Sequence, residues 1–128
     1  MTWKPFAVAK DLVVTGTFTS LAHFVDNATS ISRYPEPSWI TPVGVLLSWI
    51  PLGSLSMFLL LKRRYDFAFT SGAFLFSVLL MAGLLHFAYG SVFTMSPIST
   101  ATVLAETASG GALFAMLLSH IIAKKRKQ

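Results

Sequence analysis

The chain has 128 residues, 54% of them hydrophobic and 12% charged, with a formal net charge of +5 and no cysteine. Soluble domains carry about a quarter charged residues, so a chain this short, with its apolar residues in blocks, is read as one solvated by lipid. The lack of cysteine excludes disulfides, thiolate chemistry and cysteine-ligated metal or iron–sulfur centres. The positive charge sits beside apolar spans, which argues against nucleic acid as a partner.

In chain order, residues 1–11 form a short lead with Lys4 and Lys10. Residues 12–30 are the first predicted span and the least apolar. A cleaved signal peptide is the competing reading. Asp11 beside the run, the hydroxyl residues within it and the missing small-x-small site after it argue against that. Residues 31–41 form a link in which Pro35 and Pro37 set an extended path. Thr41-Pro42 reads as an N-cap followed by proline at the first helical position, and the span 42–61 follows. Inside it Pro51 lacks the N–H that would bond the carbonyl of Leu47, which predicts a bend. Trp39 and Trp49 suit an aromatic belt.

Lys62-Arg63-Arg64-Tyr65-Asp66 is a charged turn, and residues 67–90 are the third span. After a link over 91–96, Ser96-Pro97 repeats the cap-then-proline start. Residues 97–123 are the fourth span, closed by Lys124-Lys125-Arg126-Lys127. At about 1.5 Å per residue, each span reaches roughly the 30 Å of a hydrocarbon core.

The expectation is therefore an all-α, integral membrane four-helix bundle: one domain over 1–128, antiparallel and up-down-up-down, with short loops. With four spans, Lys4, Lys10, Lys62, Arg63, Arg64 and the terminal basic run fall on one side, and only Arg33 falls on the other. That places both termini in the cytoplasm of a multi-pass protein, read as bacterial and in the plasma membrane, with membrane lipid as its partner. The terminal run is read as a topology anchor in preference to a specific anionic-lipid site.

The residues that lipid would reject carry the functional reading. Thr15, Thr19, His23, Asp26 and Ser30 recur at helical spacing and form one stripe, with Asn27 beside it. Gly83, His86 and Gly90 share a face of the third span, with Tyr89 next to them. Ser99, Thr102, Glu106, Ser109-Gly110 and, further on, His120 share a face of the fourth. Such faces turn toward the bundle rather than to hydrocarbon. Counted at about 1.5 Å per residue, His23, Asp26, His86 and Glu106 fall in the outer half, within about 7 Å of one another along the membrane normal. A buried carboxylate costs on the order of 3 kcal/mol on insertion scales, more than polar ties between spans return, so Glu106 is the leading functional residue.

The combination His23-x-x-Asp26-Asn27, Arg33-Tyr34-Pro35, His86-Phe87-Ala88-Tyr89-Gly90 and Glu106 followed by Gly110 resembles a group of small four-span bacterial membrane proteins with no assigned activity. A weaker similarity is to the emopamil-binding, sterol-isomerase-like membrane family. That resemblance implies a polar His/carboxylate cavity among spans in which protons move. The chain lacks that family's fuller set of acidic and aromatic cavity residues, so no catalytic role is carried over.

Three functions stay open. The first is a cavity that binds or acts on a small lipophilic molecule. His23 and Glu106 handle protons there, Asp26 orients His23, His86 completes the candidate catalytic set, and Asn27, Thr19, Tyr89, Thr102 and Ser109 line the cavity. The second is a metal- or haem-binding protein ligated by His23 and His86. The third is a non-catalytic accessory protein in which the same residues are glue between helices. No cofactor is strongly implied.

Overall fold

The computed structural model describes residues 4–34, 37–89 and 95–126, with the side chains of Lys4, Tyr89 and Lys125 outside that description. Among the described residues the regular structure is all helical: α1 (Lys4–Thr29), α2 (Pro42–Leu61), α3 (Phe67–Met81), a short α4 (Leu85–Tyr89) and α5 (Pro97–Lys125). One-turn 3₁₀ segments lie at Ile31–Arg33 and Ala82–Leu84, and the second joins α3 to α4 without a gap. The described residues thus form four rods. Among them three helices are long and apolar enough to cross a membrane, over Pro42–Leu61, Phe67–Ala88 and Pro97–Lys124. α1, at 26 residues, is long enough by rise alone, but its hydroxyls, His23, Asp26 and Asn27 dilute its apolar character. The extended path expected at Pro35 and the Gly90 end of the third span lie outside the described residues.

The helix ends follow from the capping residues. Thr41 Oγ1 accepts the Gly44 N–H at 3.1 Å and Ser96 Oγ accepts the Ser99 N–H at 3.0 Å, each with proline at the start of the helix that follows. Asp66 caps α3 in the same way, its Oδ1 accepting the Phe69 N–H at 2.8 Å. Its Oδ2 takes Lys62 Nζ at 2.7 Å. The Lys62 bond, and then the Phe69 N–H, hold this carboxyl below its ordinary value.

Two boundaries differ from the sequence expectation. α1 starts at Lys4 rather than near residue 12. Phe6 stands edge-on to Phe69 with ring centroids 5.0 Å apart, and Lys10 Nζ donates to the Leu60 carbonyl at 2.8 Å. That carbonyl is one of the last four of α2, which have no partner within their helix. The third span is not one continuous α-helix, because the 3₁₀ turn at Ala82–Leu84 tightens it beside α5. α2 is assigned as helix through Pro51.

The rods close a ring in which α1 packs on α2 and α5, and α3 packs on α2 and α5. Val13, Leu59, Phe69, Phe76, Leu80, Leu113 and Leu117 are fully buried between them. Lipid offers no hydrophobic drive for helices to associate, so close contact must supply the attraction. Glycine gives that closeness at two points. A Cβ on Gly110 would lie 2.7 Å from the Ser77 carbonyl oxygen and 2.8 Å from Leu80 Cβ; one on Gly16 would lie 2.5 Å from Leu80 Cδ1. The outward faces carry Phe18, Val43, Leu47, Met57, Leu61 and Ile98, all exposed, which suits lipid as the surrounding medium.

Candidate functional site

α1 ends and α5 begins at the same end of the bundle, opposite the basic 62–66 turn. There the bundle buries polar side chains. His23 is 3% exposed and Glu106 1%, and His23 Nδ1 meets Glu106 Oε2. The contact joins α1 to α5. Gly83, on the 3₁₀ turn, leaves space for the carboxylate, since a Cβ there would lie 3.2 Å from Oε2. The other ring nitrogen of His23, Nε2, is buried with no hydrogen-bond partner among the described residues.

The His86 ring stands perpendicular to that of His23, centroids 5.0 Å apart. Tyr34 completes the group. The 3₁₀ turn at Ile31–Arg33 swings the chain back, with the Tyr34 N–H donating to the Ile31 carbonyl. The Tyr34 ring then lies nearly parallel to His23 at 5.8 Å and edge-on to His86 at 5.2 Å. Its hydroxyl donates to Asp26 Oδ2 at 2.7 Å, and the Ser99 hydroxyl donates to the same oxygen at 2.5 Å. Burial foremost, opposed by the Ser99 hydroxyl and reinforced by Asp26, pushes the Tyr34 phenol up to about 12.

Of the two carboxylates expected beside His23, Asp26 does not orient it: Asp26 lies one turn further along α1, where Tyr34 folds over it and the first turn of α5 supplies Ser99. Glu106 is the group on the imidazole. Thr102 and Ser109 do not serve Glu106, because their hydroxyls donate to the carbonyls of Ser99 and Ala105 in their own helix.

A cavity of about 390 Å³ opens beside this group. His23, Asn27 and His86 form one wall, Gly44, Val45 and Ser48 of α2 another, and the link contributes Trp39. Of the residues expected to line a cavity, Asn27 does so. Thr19 and Thr102 instead border a separate groove between α1 and α5. Ser109 is buried in the bundle, and the Tyr89 side chain lies outside the described residues. Asp26 and Glu106 are not among the walls; Glu106 acts on one wall residue, His23, while the partners of Asp26, Tyr34 and Ser99, lie outside the walls. Among the described residues, no three His, Asp or Glu side chains gather as a metal-ligand set.

Two residues had no chemical role in the sequence reading. Tyr34 could have been found as the hydroxyl-bearing aromatic just past a polar helix end, and Gly83 as the small residue one turn before His86. A second polar seam was also missed. Thr17 meets Ser56, and Trp49 Nε1 donates to Ser20 Oγ at 3.1 Å, joining α1 to α2. No known family, no curated protein and no solved structure matches the chain.

Proposed function

We propose that this is a four-span membrane protein that binds a small lipophilic molecule in the cavity between α1 and α2, with His23 as the group that meets its polar end. One observation carries the reading. Glu106 engages one nitrogen of His23, while the other, buried in a residue of the cavity wall, has no partner among the described residues. A carboxylate on one imidazole nitrogen sets both the orientation and the tautomer of the ring. With Glu106 ionised, the contact makes Nδ1 the donor, and neutral His23 presents Nε2 as an acceptor. The ligand is then an apolar molecule with a hydroxyl or N–H end. Proton transfer at that atom is the chemistry such a pair can support.

The volume of about 390 Å³ falls within the range of small-molecule sites. Phe24, Trp39, Ile40 and Val45 supply apolar contact for the rest of the ligand. A metal-ion role has less support, since His23 is held by Glu106 and no third ligand joins His23 and His86 among the described residues; a haem role has less support because the Glu106 contact already occupies one nitrogen of His23. α1 is proposed as the fourth span, with both termini cytoplasmic, on the strength of the basic residues beside the 62–66 turn and both chain ends. A C-terminal reporter active only outside the cytoplasm tests that topology, and a signal from it would reverse the orientation.

The binding claim is tested by native mass spectrometry of the chain extracted from membranes in mild detergent. Wild type is expected to carry a lipophilic molecule of defined mass. Ser48→Trp, which fills the cavity from an exposed position, is expected to lose it, and Asp26→Asn to keep it. Equal small-molecule complements in wild type and Ser48→Trp would sink the proposal.

A further inference from the structure

We propose a second ligand site, at the opposite end of the bundle, that holds an anionic phospholipid with its phosphate on Lys124 and His120, so that Lys124, read from the sequence as part of a topology anchor, takes a specific lipid instead. The site is independent of the cavity beside His23. A cavity of about 650 Å³ opens between the first two turns of α3 and the last turns of α5. Its polar lining is Lys124, His120, Asp66, Tyr65 and the hydroxyls of Thr70 and Ser71; Phe67, Phe74 and Ile121 are apolar walls.

The order of these residues along the helices fits a phospholipid. Lys124 lies at the end of α5 and His120 about one turn deeper. On the facing rod, Phe74 lies about 10 Å deeper than the start of α3, at 1.5 Å per residue. Charge at the bundle end and apolar walls further in reproduce the headgroup-to-chain order of a lipid in a bilayer. Basic pockets between spans are where anionic headgroups are held.

The charge of this cavity is not cancelled from within. Asp66 borders it, but its two oxygens are already engaged, one by Lys62 Nζ at 2.7 Å and one by the Phe69 N–H at 2.8 Å. Lys62 thus matches Asp66, and Lys124 remains to meet an anion from outside the chain. Arg63 and Arg64, exposed on the same turn, add to the positive potential at this end. The His120 ring stands edge-on to Tyr65 at 5.2 Å, which fixes its plane at the cavity wall.

The test uses the full chain in mixed micelles with equal phosphatidylglycerol and phosphatidylcholine, and counts retained lipids by native mass spectrometry. Phosphatidylglycerol is expected to be retained over phosphatidylcholine by about fivefold for each cation engaged. Lys124→Gln and Ser71→Trp are expected to abolish that preference. Arg126→Gln removes the same charge but borders a different groove, and is expected to leave it intact. Lys124→Gln carries the decision should Ser71→Trp fail to fold. Equal retention of the two lipids would overturn the proposal, as would equal loss in Lys124→Gln and Arg126→Gln, which would mean diffuse charge rather than a site. Millimolar inorganic phosphate is expected to leave the lipid bound. Displacement by phosphate alone would reassign the site to a soluble anion and overturn the lipid reading.

Discussion

At the basic end, where α2 turns into α3, the bundle buries Leu59, Phe69, Phe76, Leu113 and Leu117. At the other end it buries His23, Asn27, Ser99 and Glu106. The two ends also differ in how polar groups are satisfied. Near the apolar core, hydroxyls such as Ser77 and Thr70 donate to carbonyls of their own segment. At the polar end, bonds to the two carboxylates, His23 to Glu106 and Ser99 to Asp26, tie α1 to α5, whereas the cross-helix bonds toward the basic end, Lys10 to Leu60 and Thr17 to Ser56, tie α1 to α2. A hydroxyl bonded to its own helix can be removed without stranding a partner. A group bonded across the bundle cannot, so at the polar end stability and the proposed chemistry rest on the same residues, whereas the apolar core contributes through packing.

The comparison breaks most visibly at the two centres. Phe76→Ala is expected to destabilise the fold by about 3 kcal/mol, the lower end for such a truncation because lipid rather than water is the alternative surrounding. The folded fraction should keep its ligand occupancy, as read by unfolding in denaturing detergent alongside native mass spectrometry. Glu106→Leu is expected to give the reverse pattern. It should lose about 1–3 kcal/mol, because His23 is left buried without its partner, and it should lose ligand binding. Glu106→Gln should hold the fold within about 1 kcal/mol, since the amide still offers an acceptor. Loss of binding in Phe76→Ala, at unchanged folded fraction, would erase the distinction between the two ends.

A finer test uses adjacent glycines. Gly110→Ala pushes a methyl against the Ser77 carbonyl and Leu80 Cβ, and is expected to cost about 1–3 kcal/mol in thermal unfolding. Gly111→Ala meets nothing within 4 Å and is expected to stabilise by about 0.5–1 kcal/mol. Equal effects at the two positions would mean that α3 and α5 do not approach as closely as described.

Much of this arrangement was legible in the sequence. The stripe of α1 put His23 on the inner face, although its first member, Thr15, is exposed and the buried face runs through Val13, Gly16, Ser20, His23 and Asn27, and counting residues from the ends of the spans brought His86 and Glu106 to the level of His23. Thr41-Pro42 and Ser96-Pro97 marked two helix starts to the residue. What the sequence hid was partnership. A period of 3.6 residues tells which face a carboxylate occupies but not which neighbour stands opposite, so the sequence places both Asp26 and Glu106 near His23 without telling that Glu106 is the one on its imidazole. The return of Tyr34 depends on a single 3₁₀ turn, and single turns leave no periodic signal. The early start of α1 was obscured because Lys4, Lys10 and Asp11 interrupt the apolar pattern, while the contacts that extend the helix, Lys10 to Leu60 and Phe6 to Phe69, come from distant parts of the chain.

An effect confined to high pH is the response of Tyr34. A folded-state value raised from 10.0 to about 12 favours the neutral phenol in the fold. Its stabilising contribution is therefore complete below pH 10.0 and is lost as the pH rises through about 12. A difference ultraviolet titration against Tyr34→Phe should show one tyrosine ionising late, and Ser99→Ala should shift that step. Titration of Tyr34 at its ordinary value would mean that it does not cover Asp26.

The central claim is that Glu106, not Asp26, holds His23 and leaves Nε2 for the cavity. Nitrogen-15 magnetic resonance of the histidine rings tests it directly, with His23 assigned by substitution. The account predicts that Glu106→Gln shifts the Nδ1 resonance of His23 while Asp26→Asn leaves it nearly unchanged, and that Ser48→Trp, which fills the cavity, shifts Nε2 and not Nδ1. An Nδ1 resonance that follows Asp26→Asn and ignores Glu106→Gln would contradict it.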